Sequence, residues 1–127
     1  MQIVRYAFAA VAVAVVLALA YQVFLAGLVL FAGGSWQSHV DFGYLVSLLP
    51  VLLIPLAWFA RAGRGTVVMT VLLLVLAQVQ TFLPLARGGA PWVAALHPVN
   101  ALLLFGAAVM VAQRGVALAR RPEAQGA

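Results

Sequence analysis

Four stretches without one formally charged residue, Tyr6 to Gly34, Phe42 to Ala60, Thr66 to Ala86 and Gly88 to Gln113, take up most of this 127-residue chain. A bilayer hydrocarbon core of roughly 30 Å is crossed by about 20 helical residues, so each stretch is long enough to span once. Backbone groups in lipid must bond to each other, which leaves helices or closed barrels, and strand-type alternation is absent here. At 67% hydrophobic and 7% charged residues, with mean hydropathy +1.17, a water-exposed domain of this size would carry large apolar patches. The predicted fold is all-α: an integral membrane, up-down four-helix bundle over residues 1–119, followed by a short polar, disordered tail over 120–127. Ala18-Leu19-Ala20 behind Arg5 has the form of a signal cleavage site. The apolar run continues to Ala32, longer than a signal segment, so the first helix is expected to be retained.

Every basic residue is an arginine. With four crossings, Arg5, Arg61, Arg64, Arg114, Arg120 and Arg121 fall on one side and Arg87 alone on the other. The positive-inside rule then predicts cytoplasmic N and C termini and a multi-pass protein of the cell membrane. The net charge of +5 is spread over loop ends without a stripe or patch, so the expected partner is the lipid bilayer and not nucleic acid. The chain has no cysteine, which removes disulfides, thiolate metal sites and thiol catalysis. Its two acids, Asp41 and Glu123, form no carboxylate pair, and neither a phosphate loop nor a serine with a histidine base is recognisable.

Sliding the chain against itself by 58 residues sets Gln22 on Gln80, Phe24 on Phe82, Leu25 on Leu83, His39 on His97 and Leu45 on Leu103. The bundle thus reads as a two-helix unit used twice, with one of the chain's two histidines in each copy. Gly33-Gly34 precedes Trp36 in the first outer loop, and Gly88-Gly89 precedes Trp92 in the second. Ser38-His39-Val40-Asp41 has the form of a capping box, which predicts that helix 2 starts close to His39. Pro91 is suited to open a helical turn, and Pro98 disfavours the α conformation at His97. Both histidines therefore belong at similar depth, at the outer starts of their helices. Pro50 and Pro55 predict a bend in helix 2.

In an up-down bundle helices 2 and 4 are diagonal, and with neighbouring axes 8 to 10 Å apart the diagonal is roughly 13 Å. Two inward imidazoles with iron between them nearly span that distance, so His39 and His97 are the expected axial ligands of a b-type haem. Gly43 and Ala101, each four residues beyond its histidine, leave room for the edge of a macrocycle, although small residues are also ordinary at membrane helix contacts. Gln22 and Gln80, inside the membrane, need partners. Interhelical hydrogen bonding is their plain role, and support of a ligand their sharper one. Arg87, beside Gly88 and Gly89, suits a haem propionate or a lipid phosphate equally. A zinc or copper site would want three or four protein donors, and only Asp41 stands near the histidines to add to them.

The segments YQVFLAGLVLF (Tyr21 to Phe31), HVDFGYLVSLLP (His39 to Pro50) and ALHPVNALLLFG (Ala95 to Gly106) resemble a small bacterial four-helix membrane family of unknown function. More distantly, glutamine on an odd helix followed by histidine and a small residue on an even helix resembles one four-helix half of haem A synthase. That resemblance implies haem held by histidines on the second and fourth helices, which here are His39 and His97. The expected function is a membrane haem b protein engaged in electron transfer or haem handling, with a membrane redox partner. Two filled axial positions suit one-electron transfer better than oxygen chemistry. The other class open to the sequence is a non-redox accessory or assembly subunit of a larger membrane complex. No enzymatic reaction is assigned.

Overall fold

The computed structural model describes residues 1–122. Helix α1 spans Gln2–Ala32, α2 Trp36–Phe59 and α3 Arg64–Phe82; a 3₁₀ segment, Leu83–Gly88, follows, then the one-turn α4, Pro91–Ala94, and α5, Leu96–Ala119. Four helical spans are long and apolar enough to cross a membrane, α3 being extended by the 3₁₀ segment and α5 by α4. The described residues contain no strand. The tail expected after Ala119 is described only as far as Pro122, and Glu123 to Ala127 lie outside the described residues.

The helices close a ring in chain order. Each packs on its neighbour, α1 on α2, α2 on α3 and α3 on α5, while α5 returns to α1. The pairs α2 with α5 and α1 with α3 are therefore the diagonals of an up-down bundle. Contacts at the arginine-rich end join both termini there: Gln2 Nε2 donates to Ala119 O at 2.6 Å and Arg5 Nη1 to Arg121 O at 3.4 Å. At the same end Arg114 Nη1 donates to Gly65 O at 2.8 Å.

One inward stripe per helix builds the core. On α1 it runs Phe8, Ala12, Val15 and Leu25; on α2, Val46, Pro50, Leu53 and Ala57. On α3 it runs Thr66, Thr70, Leu73 and Ala77; on α5, Asn100, Leu104, Ala107, Val111, Gly115 and Leu118. Apart from the ten-residue interval between Val15 and Leu25, these steps of three and four residues are the spacing of one helical face. The rest of each surface is also apolar, with Phe31, Leu102 and Trp92 largely exposed, as a lipid-facing surface requires.

Local chemistry at the outer loops differs in part from expectation. Helix α1 stops at Gly33, whose left-handed backbone (φ 69°) lets its N–H and that of Gly34 turn back to Leu28 O. Ser35 then lies extended, and its Oγ accepts from Gln37 N at 3.1 Å. Ser35 is therefore the cap, α2 starts at Trp36, and the expected Ser38–Asp41 capping box does not form. Because the chain leaves the glycine turn already extended at Ser35, Ser38 is inside the first turn, and Asp41 accepts instead from Gln37 Nε2 at 2.6 Å. His97 is helical despite the following Pro98. Pro98 is the third residue of α5, where a missing N–H costs no intrahelical bond. Helix α2 continues through Pro50 and Pro55. Beside the Val46 carbonyl, which Pro50 deprives of its usual donor, Ser47 O accepts from Gln78 Nε2 of α3 at 3.0 Å.

Candidate functional site

At the end of the bundle opposite the arginine-rich end, polar residues continue the core stripes of all four helices. Gln22 lies seven residues beyond Val15 on α1, and Gln80 lies three beyond Ala77 on α3. His39 lies seven residues before Val46 on α2, and His97 three before Asn100 on α5. These intervals keep each side chain on the buried face of its own helix.

The four residues form two latches of the same design. Gln22 Nε2 donates to His39 O at 3.0 Å, and His39 Nδ1 lies 3.1 Å from Gln22 O. Gln80 Nε2 donates to His97 O at 3.0 Å, and His97 Nδ1 lies 3.1 Å from Gln80 O. A carbonyl only accepts, so each Nδ1 carries a proton, and in a neutral ring Nε2 holds the lone pair; that of His97 faces Gln80 Nε2 at 3.1 Å. The 58-residue repeat read in the sequence is thus a repeat of hydrogen bonding as well as of residue type. The plain role of the two glutamines, bonding between helices, is what the geometry displays.

The latches meet across the α2–α5 diagonal. The His39 and His97 rings are half-buried, with centroids 6.3 Å apart and planes at 68°. Trp36 stands edge-to-face against His39, its centroid 5.7 Å away. No group of three or more His, Cys, Asp or Glu side chains gathers among the described residues. The donors brought together are two imidazoles, a set short of what a protein-only zinc site requires.

The remaining predicted residues fall into different settings. A Cβ on Gly43 would lie 2.5 Å from Gln22 Nε2, so the space at Gly43 is filled by the Gln22 carboxamide. Ala101 is half-buried one turn below His97. Arg87 is exposed at the end of the 3₁₀ segment and makes no hydrogen bond or ion pair among the described residues. One residue of the site was not among those predicted. Asn100, buried on α5, donates from Nδ2 to Leu76 O at 2.9 Å and to Gln80 Oε1 at 2.6 Å. A polar amide three residues after a histidine, in an otherwise apolar stripe, is the signal that would have found it.

Fold and site together define a small four-helix protein of membrane type, with two glutamine–histidine latches facing each other at one end. The chain belongs to a family of unknown function, DUF6220, whose model matches residues 22–87, just over half of the chain, including Gln22, His39, Gln80 and Arg87. No curated protein and no solved structure matches it.

Proposed function

We propose that the protein binds one b-type haem between His39 and His97 and serves electron transfer or haem handling in the membrane. The reading rests on the separation of the two rings. An imidazole nitrogen bonds a first-row metal at about 2 Å, and adding the ring radius on each side sets the centroids of a trans pair roughly 6 Å apart. The observed separation is 6.3 Å. The Nδ1 contacts support it too, since a histidine that ligates metal through Nε2 commonly donates its Nδ1 proton to a backbone carbonyl; at His97 the Gln80 amide, 3.1 Å from Nε2, would have to give way. The Gln22 and Gln80 carbonyls would orient the rings, and Arg87 would meet a propionate at the outer surface. The positive-inside rule assigns the arginine-rich end, with both termini, to the cytoplasm. One-electron exchange with a membrane redox partner is the chemistry a six-coordinate haem supplies.

The test is the visible spectrum of protein produced with ample haem. A Soret band, a low-spin reduced spectrum and a pyridine extract typical of haem b are expected. Each of His39→Ala and His97→Ala should remove the low-spin form. A wild-type protein that folds but shows no Soret band overturns the reading. The latches would then be helix staples of an accessory subunit in a larger membrane complex.

A further inference from the structure

On the lipid-facing side of the bundle, α1 and α5 leave an open groove between them that leads to the arginine-rich end. Its deep part is apolar, with Val16 and Leu17 of α1 and Val109 of α5 on its walls. Gln113, Ala117 and Arg120 continue the α5 wall at steps of four and three residues, which keeps them on one helical face. Gln113 and Arg120 are exposed, and neither side chain has a hydrogen bond or ion pair among the described residues. Ala117, between them, offers only a methyl group and keeps the groove open.

The order of these residues along α5 matches that of the parts of a glycerophospholipid. Gln113 ends the uncharged run 88–113, and its neighbour Arg114 bonds Gly65 O at the start of α3. Gln113 therefore lies at the border of the hydrocarbon, where lipid ester carbonyls are the acceptors at hand. Arg120 is seven residues further out, about 10 Å of helix rise, at headgroup depth. Helical side chains lean toward the N-terminus of their helix, which turns the Arg120 guanidinium back along the groove toward Gln113. Val16, Leu17 and Val109 lie on the membrane side of Gln113, where an acyl chain runs.

The described charges at this end are all positive. Arg5 Nη1 lies on Arg121 O at 3.4 Å, and the one acid among the described residues, Asp41, is at the opposite end. A phosphate is drawn to such a cluster, whereas an ammonium headgroup finds no carboxylate there. From this complementarity we propose that the groove between α1 and α5 binds one anionic glycerophospholipid. Its phosphate sits on Arg120, an ester carbonyl accepts from the Gln113 amide, and an acyl chain covers Val16, Leu17 and Val109. The site is separate from the histidine latches and does not rest on the haem reading.

The experiment titrates the full chain in dodecyl maltoside with phosphatidylglycerol or with phosphatidylcholine of the same acyl chains, and counts retained lipid by native mass spectrometry. Wild type should hold one phosphatidylglycerol, about tenfold more tightly than phosphatidylcholine. Arg120→Ala should weaken phosphatidylglycerol about tenfold, the worth of a charge-assisted bond, and Gln113→Leu about fivefold, the worth of an ordinary one. Ala117→Phe fills the groove without a change of charge and should abolish the one-to-one complex. Arg64→Ala removes an exposed arginine at the same end but off the groove, and should bind as wild type does. Should Ala117→Phe fail to fold, the exposed Arg120→Ala and Gln113→Leu still decide. Equal retention of the two lipids by wild type overturns the proposal. So does an equal loss in Arg64→Ala and Arg120→Ala, the mark of diffuse attraction, or undiminished binding in a folded Ala117→Phe.

Discussion

Gly43 cedes its side-chain space to Gln22: the carboxamide nitrogen lies 2.5 Å from where a Cβ would stand and donates to His39 O on the same helix. Gly43→Ala should push that flexible side-chain end aside and break the bond, at a cost of about 1 kcal/mol. Better helix propensity of alanine returns about 1 kcal/mol, so net stability should barely change. Gly115 is different. A Cβ there meets the Ala9 backbone at 3.1 Å and the ring of fully buried Phe8 at 3.3 Å, so α1 and α5 must separate. Gly115→Ala should cost about 1–3 kcal/mol. Thermal melting of the detergent-solubilised protein compares the two, with Gly106→Ala, which meets nothing within 4 Å, as control.

The cap of α2 can be located by substitution. Ser35→Ala should cost about 1 kcal/mol, because Gln37 N loses its acceptor, while Ser38→Ala should leave α2 unchanged. Asp41→Asn keeps an oxygen for Gln37 Nε2 at the surface and should have no measurable effect. Hydrogen exchange at the amides of the first turn reads these outcomes.

Asn100 and Gln80 form one network. Asn100→Leu leaves Gln80 Oε1 without its donor, removes the second bond to Leu76 O, and should destabilise by about 1–3 kcal/mol. Adding Gln80→Leu should cost less than it does in the wild-type background, since the partners are already separated. Additive melting shifts would refute the coupling.

The cysteine-free chain suits labelling. In intact cells, an impermeant maleimide should react with Gly89→Cys, beside Arg87, and spare Gly65→Cys, at the arginine-rich end. The reverse pattern would invert the assigned topology.

Arg87 is exposed and has no partner among the described residues. On the proposed haem reading, Arg87→Ala should leave the low-spin spectrum unchanged but speed haem loss to apomyoglobin, and Arg87→Lys should restore part of the retention.

Much of the fold was legible because the bilayer sets a simple rule: runs of about 20 uncharged residues become spanning helices. The split of Arg87 from the other arginines, and the matched places of Gln22, His39, Gln80 and His97 in a 58-residue repeat, were legible for the same reason. Polar residues stand out against an apolar background. Local starts were less so. Ser38–Asp41 matched a capping pattern, yet the turn through Gly33 delivered Ser35 to the helix first. Pro98 disfavours the α conformation at His97, yet His97 is helical, with Pro98 in the first turn of α5.

The sequence by itself determined the number of spans, their all-helical form and the few polar residues they carry. Which faces meet was decided only in the tertiary structure, because lipid is as apolar as Leu and supplies no gradient to turn one apolar face inward. Close packing made that choice, setting Gly115 against Ala9 and Phe8, and so did the need to pair buried amides. The bonding of each histidine to its glutamine, the 6.3 Å between the rings and the extra donor from Asn100 that distinguishes the two halves follow from that choice.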